Sequence, residues 1–234
     1  MKKISLLILI TPVIIFAKTY MAKIEPFDTF NVYAQKAGQI VYLDKNDENK
    51  IINKKIVQID DELDRITLKN YQEQLGLYEK EFKIKNSNYE KFKTIRGKSA
   101  FDKDDKLIEV INLKISISSL KNSIAELKDS IKKKSITIKN LYLKSYTVNK
   151  MDYVNIGTKI AELYDVSSSK IVVYVLKEDL KDIKKKKVFI DGKLSDAKVI
   201  KKDITVDPKY MTSYKVEIKS SIKEFGKVVN VEFR

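Results

Sequence analysis

The sequence predicts an elongated α+β fold, in which a small β-domain is interrupted by an antiparallel coiled-coil hairpin and followed by a small antiparallel β-barrel. Three observations predict it. Apolar residues recur with coiled-coil spacing in two arms near the middle of the chain, and β-type segments lie on both sides of these arms. No proline falls between residues 27 and 207, so nothing there prevents long uninterrupted helices.

The two arms each carry a series of apolar positions separated alternately by three and four residues. This average period of about 3.5 residues is the coiled-coil signature. The first series includes one lysine and runs Leu68, Tyr71, Leu75, Tyr78, Phe82, Lys85, Tyr89 and Phe92. The second series runs Val110, Leu113, Ile117, Leu120, Ile124, Leu127 and Ile131.

The segment between the arms is too short to be a domain and contains Gly97. Two arms of similar length joined by a short turn lie antiparallel, and at 1.5 Å per residue the hairpin would reach about 50 Å. A coil that dimerises with another chain is the alternative. Asp102 is predicted as the N-cap of the second arm, since aspartate is a favoured capping residue.

Both flanks of the arms have the composition of β-strands. Residues 30–34, 38–43 and 51–60 precede the arms, and residues 136–138, 141–148 and 154–163 follow them. Pairing between these flanks would make one β-domain and would bring the two arms together at their base. From residue 166 onward, short apolar segments separated by turns at Asp191-Gly192, Asp207-Pro208 and Phe225-Gly226 predict the antiparallel barrel.

Composition excludes much familiar chemistry. The 234 residues include no His and no Cys, which removes catalytic triads based on either residue, His/Cys zinc sites and disulfides. The six Gly are too dispersed for a phosphate-binding loop. The net charge is +15, but only three of the 47 basic residues are Arg, so nucleic-acid binding is not expected. We expect no enzyme activity, no cofactor and no metal site.

The N-terminus has the pattern of an export signal. Lys2 and Lys3 precede an apolar run over residues 4–16, which Ala17 follows. This arrangement predicts a signal peptide over residues 1–17 and an exported mature chain. An uncleaved membrane anchor is the alternative, because the cleavage motif is imperfect.

The order of parts resembles the periplasmic adaptor family, also called membrane fusion proteins (HlyD-like). The residues that carry the resemblance are Ala37-Gly38-Gln39-Ile40 with Ile59-Asp60, and then residues 154–163 leading into residues 170–179. The resemblance implies a lipoyl-like β-sandwich (barrel-sandwich hybrid) built from residues 24–62 and 136–165. It further implies a coiled-coil hairpin over residues 63–135 and a β-barrel domain over residues 166–234. No lipoylation is expected, because the hairpin occupies the place of a lipoyl lysine.

The resemblance also implies a function. The chain would be the short form of adaptor that accompanies resistance-nodulation-division (RND) pumps. It would act in the periplasm, associated with the inner membrane, as a homo-oligomer that links an inner-membrane efflux transporter to a TolC-like outer-membrane channel for export of drugs or other small molecules. Two alternatives stay open: an adaptor of an ABC-type exporter or type I secretion system, and, from a different class, an exported coiled-coil scaffold or chaperone.

Two sets of residues are candidate contact sites. The resemblance places Lys91, Ile95, Gly97 and Asp102 at the hairpin tip, where relatives contact an outer-membrane channel. The identities differ from the family pattern, and these residues would otherwise serve only to close and cap the turn. The lysine run Lys184, Lys185, Lys186 and Lys187 is a candidate contact with membrane or pump, or else a solvated loop.

Overall fold

The computed structural model describes residues 18–234, so the predicted signal peptide lies outside the described residues. Over this range the chain has two long helices and many antiparallel strands, which confirms the predicted α+β class. Neither helix within residues 18–234 is long and apolar enough to cross a membrane. The contacts divide the chain into two compact units, Phe30–Leu163 and a second unit made of residues 18–29 with Tyr164–Arg234.

The elements follow one another in a simple order. The strands β1 (Thr19–Tyr33), β2 (Gly38–Leu43), β3 (Lys50–Ile52) and β4 (Lys55–Ile59) precede the helices α1 (Glu62–Phe92) and α2 (Ala100–Lys133). The strands that follow are β5 (Ser135–Thr137), β6 (Leu141–Tyr146), β7 (Tyr153–Val154), β8 (Lys159–Leu176), β9 (Val188–Ile190), β10 (Lys193–Leu194), β11 (Lys198–Lys202), β12 (Ser213–Ser220) and β13 (Val228–Phe233).

In the unit Phe30–Leu163, strands from before the helices pair with strands from after them. β3 pairs with β6, and β4 pairs with both β2 and β5. These pairings enclose an apolar core whose fully buried members include Ile40, Ile56, Ile59, Leu143 and Ile160. Because the paired strands come from both sides of the helices, they hold the start of α1 beside the end of α2.

The base of the two helices is fixed by specific contacts. The Lys134 side chain, which follows α2, forms a 2.8 Å ion pair with Asp64 in the first turn of α1. The backbone N–H of Ile59 donates to the Lys134 carbonyl over 2.9 Å. Gly38 permits the close approach of β2, because a Cβ there would lie 2.7 Å from Cγ2 of Ile59 and the backbone φ is +151°.

The helices α1 and α2 pack along the predicted apolar series. All eight positions of the first series are partly buried, and in the second series Val110, Leu120 and Ile124 are buried. Cross-helix ion pairs join Lys85 to Glu109 at 3.2 Å and Lys121 to Glu79 at 2.8 Å. Lys85, near the end of α1, therefore faces Glu109, near the start of α2, as expected for antiparallel helices.

In the second unit, the N-terminal part of β1 pairs with the C-terminal strand. Thr19 aligns with Glu232 and Lys23 with Val228 in the β1–β13 pair. β13 also pairs with β9, which pairs with β10, while β12 pairs with β8 and β11. The core of this unit contains the fully buried side chains of Ile24, Ile171, Val173, Val175, Ile183, Val216, Ile218 and Val231.

Three details differ from the sequence-based expectations. Residues 24–29, expected in the first half of the lipoyl-like domain, cluster with Tyr164–Arg234, and the backbone of Ile24 exchanges hydrogen bonds with Lys227 and Gly226. The two strands expected before and after residue 166 form one strand, β8. Asp102 is not the N-cap of α2; Ser99 is, because its side chain accepts the backbone N–H of Asp102.

Candidate functional site

The connection between α1 and α2, residues 93–99, is shaped by hydrogen bonds that end one helix and start the next. Thr94 donates its hydroxyl to the Lys91 carbonyl over 2.7 Å, and the N–H of Ile95 donates to the Phe92 carbonyl over 3.1 Å. Gly97 then has φ +86°, a left-handed conformation that favours glycine. The connection turns the chain sharply without a long loop.

A capping box begins α2. The Ser99 Oγ accepts the backbone N–H of Asp102 over 3.0 Å, and Asp102 Oδ2 accepts the backbone N–H of Ser99 over 3.4 Å. This reciprocal pair satisfies two donors that a helix N-terminus otherwise leaves unpaired. Its aspartate also places negative charge in the first turn, where the helix dipole favours it.

The structure brings the four predicted tip residues to the same end of the helix pair. Lys91 lies in the last turn of α1, Ile95 and Gly97 lie in the connection, and Asp102 lies in the first turn of α2. All four are exposed, with Ile95 at 46%. The tip therefore presents one aliphatic side chain, a lysine and a helix-bound carboxylate to solvent.

Sequence reasoning missed one prominent tip residue. Phe101, in the first turn of α2, is 73% exposed. It lies outside the apolar series that packs between the helices, and it lies in the same first turn as Asp102. Together with Ile95, it gives the tip two exposed apolar side chains, a combination typical of binding surfaces.

A charged cluster lies on the two helices behind the tip. Glu109 of α2 accepts from Lys106 at 2.6 Å and from Lys85 of α1 at 3.2 Å. These two hydrogen bonds, that from Lys106 being the larger cause, lower the pKa of Glu109 below its ordinary value. The hydrogen bond to Glu109 in turn raises the pKa of Lys85. The charge of Lys85, the one lysine in the apolar series, is thus balanced by the carboxylate of Glu109 on the facing helix.

The lysine run at residues 184–187 lies in the unit that contains Tyr164–Arg234, and some of its residues form contacts within that unit. Buried Ile183 anchors a 3₁₀ turn, Ile183–Lys185, and Lys185 forms a 2.9 Å ion pair with Asp182. Lys187 exchanges backbone hydrogen bonds of 2.7 and 3.0 Å with Arg234. This segment is thus held against the C-terminal end of the chain.

Acidic groups stand close to the lysine run. The Asp179 carboxylate accepts from the Tyr20 hydroxyl over 2.5 Å and lies 3.2 Å from the Lys18 ammonium. Burial raises the pKa of Asp179, but the hydrogen bonds from Tyr20 and Lys18 and the charges of Lys18 and Lys186 outweigh it and lower that pKa. The surface around the run is therefore mixed in charge.

The described residues contain no group of three or more acidic, His or Cys side chains that could hold a metal ion. The tip offers exposed apolar side chains beside charged ones, and the lysine run offers exposed cationic side chains.

No protein-family model and no curated protein matches the chain. Among solved structures, the membrane fusion protein Spr0693 from Streptococcus pneumoniae R6 is similar with a TM-score of 0.66 at 8% identity, over 93% of this chain and 99% of that one. A MacA–MexA chimera containing the Pseudomonas aeruginosa MexA α-hairpin domain gives 0.65 at 15% identity, over 92% and 80%. MacA from Actinobacillus actinomycetemcomitans gives 0.54 at 18% identity, over 93% and 79%.

These similarities extend over nearly the whole chain and include both the helices and the strands around them. Identities this low bear on the fold and not on partners or cargo. The structural similarities confirm the resemblance drawn from the sequence, and the chain has the fold of the membrane fusion, or periplasmic adaptor, proteins.

Proposed function

We propose that the protein is the periplasmic adaptor subunit of a tripartite efflux system. It would join an inner-membrane transporter of the RND type to an outer-membrane TolC-like channel, with several copies surrounding the path of a drug or other small molecule. The observation that carries the proposal is the architecture: two long helices project from a β unit whose strands come from both sides of them, and a second β unit follows. The fold similarity to membrane fusion proteins supports the proposal.

Within this proposal, Phe30–Leu163 corresponds to a lipoyl-like sandwich interrupted by a coiled-coil hairpin, and Tyr164–Arg234 corresponds to a β-barrel. One similar structure carries a domain described as an α-hairpin, and α1 with α2 would be its counterpart. The strand pairs β3–β6 and β4–β5 support this assignment, because they hold both helix bases on one core. A rigid base would fix the direction in which α1 and α2 extend toward a partner.

The tip would contact the channel through Ile95 and Phe101, with Lys91 and Asp102 beside them. Exposed apolar side chains flanked by charges on an ordered turn are suited to a protein partner, because little conformational entropy is lost on binding. Gly97 would set the turn that places these side chains. Lys184–Lys187 would contact the transporter or the membrane.

Purification of a tagged chain from cross-linked envelopes tests the proposal, with every partner identified and quantified. We expect one inner-membrane transporter and one outer-membrane channel in fixed ratio, and the identity of the transporter distinguishes an RND pump from an ABC exporter. A broad set of substoichiometric clients would instead indicate a scaffold or chaperone, and recovery of neither partner would contradict the adaptor role.

A tip variant sharpens the same experiment. The double substitution Lys91→Glu and Ile95→Asp should lower channel recovery about tenfold while transporter recovery stays unchanged, because loss of an apolar contact and a reversed charge together cost more than about 1.4 kcal/mol. The matched control is Lys69→Glu with Ile66→Asp, since Ile66 is exposed to a similar extent and lies in the first part of α1, far from the tip. Equal channel recovery from both variants would show that the tip is not the contact.

A further inference from the structure

The connection between β11 and β12, residues 203–212, exposes several apolar side chains. Ile204 is 90% exposed and Met211 is 81% exposed, and Val206 and Tyr210 add further exposed apolar area. Apolar residues gathered in one exposed loop are unfavourable in water and often mark a binding surface. The second β unit therefore has a candidate contact in addition to the lysine run.

The loop has a defined shape that keeps these side chains in solvent. Asp207 Oδ1 accepts the backbone N–H groups of Lys209 at 2.8 Å and Tyr210 at 3.1 Å, so the turn at Pro208 is fixed. The Tyr210 ring packs on the Tyr174 ring of β8, with centroids 4.3 Å apart. Since the middle of the loop is anchored in this way, Ile204 and Met211 do not fold back onto the core.

Lysines surround the loop. Lys201 and Lys202 lead into it and Lys209 lies within it, while the turn Ile183–Lys185 contacts β11 and brings Lys184 close to that strand. Asp203 lies 3.7 Å from Lys201. Within residues 18–234, no ion pair engages Lys184, Lys202 or Lys209. Their charges are available to an anionic partner.

We propose that residues 203–212 bind the surface of an anionic lipid bilayer, with Ile204 and Met211 entering the headgroup region and the nearby lysines meeting lipid phosphates. Exposed aliphatic side chains can enter the fluid surface of a bilayer without a pocket of matching shape in the partner. Cationic side chains add electrostatic attraction to anionic lipids. The loop and its flanking strands contain Lys and no Arg. Lysine acts as a point charge that needs no bidentate geometry, which suits mobile headgroups better than a fixed acidic protein site. This inference goes beyond the adaptor role and does not depend on it.

The chain contains no Trp, so a single introduced Trp reports its own surroundings. The full chain carrying Ile204→Trp is mixed with vesicles of phosphatidylglycerol and phosphatidylcholine in equal parts, prepared with acyl-brominated lipid. We expect a blue shift of the emission and strong quenching. The matched control is Leu194→Trp, which is in the same unit and also exposed, and it should be quenched far less. The position of the reporter separates insertion of the loop from binding through residues 1–17.

A charge variant tests the lysines. Lys202→Gln with Lys209→Gln should weaken binding to the same vesicles about twenty-five-fold, since each lysine near an anionic surface contributes about fivefold. Lys193→Gln with Lys223→Gln removes the same charge elsewhere in the unit and should leave affinity nearly unchanged.

Two results would overturn the proposal. One is an Ile204→Trp chain that binds the vesicles while its tryptophan emission is neither shifted nor quenched. The other is unchanged vesicle binding by the variant with Lys202→Gln and Lys209→Gln, together with loss of one inner-membrane protein from cross-linked envelopes, which would assign the surface to an acidic protein. Neither result contradicts the adaptor role, which is judged by whether the unaltered chain recovers a transporter and a channel.

Discussion

Two glycines on the helical part of the chain illustrate how backbone conformation decides the role of a residue. Gly76 lies inside α1 with helical geometry, and a Cβ added there would meet nothing within 4 Å. Gly97 has equally open surroundings but a φ of +86°. The space around the two positions is the same, so any difference between their substitutions arises from the backbone alone.

We expect Gly76→Ala to increase the free energy of unfolding by about 1 kcal/mol, because alanine loses less backbone entropy in a helix. Gly97→Ala should lower it by about 1 kcal/mol, since alanine is strained at positive φ. Urea unfolding followed by circular dichroism measures both. Changes of the same sign in the two variants would contradict this account.

At the scale of elements, the two helices and the pairing of the strands that flank them were predictable, whereas the pairing of β1 with β13 was not. The two apolar series located both helices, because the spacing of three and four residues repeats within a short stretch of sequence. β1 was missed as a strand over residues 19–29, since its partner β13 lies at the opposite end of the sequence.

The continuous strand β8 was missed for a different reason. The run Ser167-Ser168-Ser169 resembles a loop in sequence, yet Ser169 is fully buried and donates its hydroxyl to the Ser220 carbonyl over 3.1 Å. That partner is remote in sequence and invisible to a local pattern. The Ser99 cap, in contrast, was available from the sequence, because Ser and Asp stand at the spacing of a capping box.

The cross-helix cluster around Glu109 predicts a pH dependence of the helix pair. The folded-state pKa of Glu109 is lowered from its ordinary value of 4.5 by Lys106 and Lys85. Its contribution to stability is therefore fully present above pH 4.5 and is lost as the pH falls through the lower, folded-state value. Thermal unfolding followed by circular dichroism between about pH 6 and about pH 3 measures this loss.

Glu109→Gln should reduce stability at neutral pH and flatten part of the acid-side decline. Glu126→Gln is the matched control on α2, since Glu126 takes part in no ion pair within the described range, and its acid profile should follow that of the unaltered protein. Identical profiles for the two variants would mean that the cluster does not contribute.

At the scale of the whole molecule, the order of parts carried more information than any single motif. The resemblance rested on weak motifs arranged around two matched arms, and it led to the fold that the structure has. The exposed loop at residues 203–212 could not be predicted, because such a surface depends on which side chains remain exposed after folding, and a local pattern does not report this.

The signal peptide predicted over residues 1–17 leads to a prediction for the whole polypeptide. Intact-mass measurement of protein purified from the periplasm should give the mass of residues 18–234, because the pattern at residues 2–17 predicts removal of a signal peptide. The same spectrum should contain no lipoyl increment on any lysine. A mass that retains residues 1–17 would indicate an uncleaved anchor, and a lipoyl adduct would contradict the proposed place of the helices in the domain.

The short connection between α1 and α2 divides the chain into two fragments of unequal length. Each β unit contains segments from both fragments, since β3 and β4 pair with strands beyond the helices and β1 pairs with β13. A single backbone cut between Arg96 and Gly97 would leave two polypeptides, neither holding a full set of strands for either unit. Each fragment would therefore need the other in order to fold, and the two fragments together would be expected to reassemble both units.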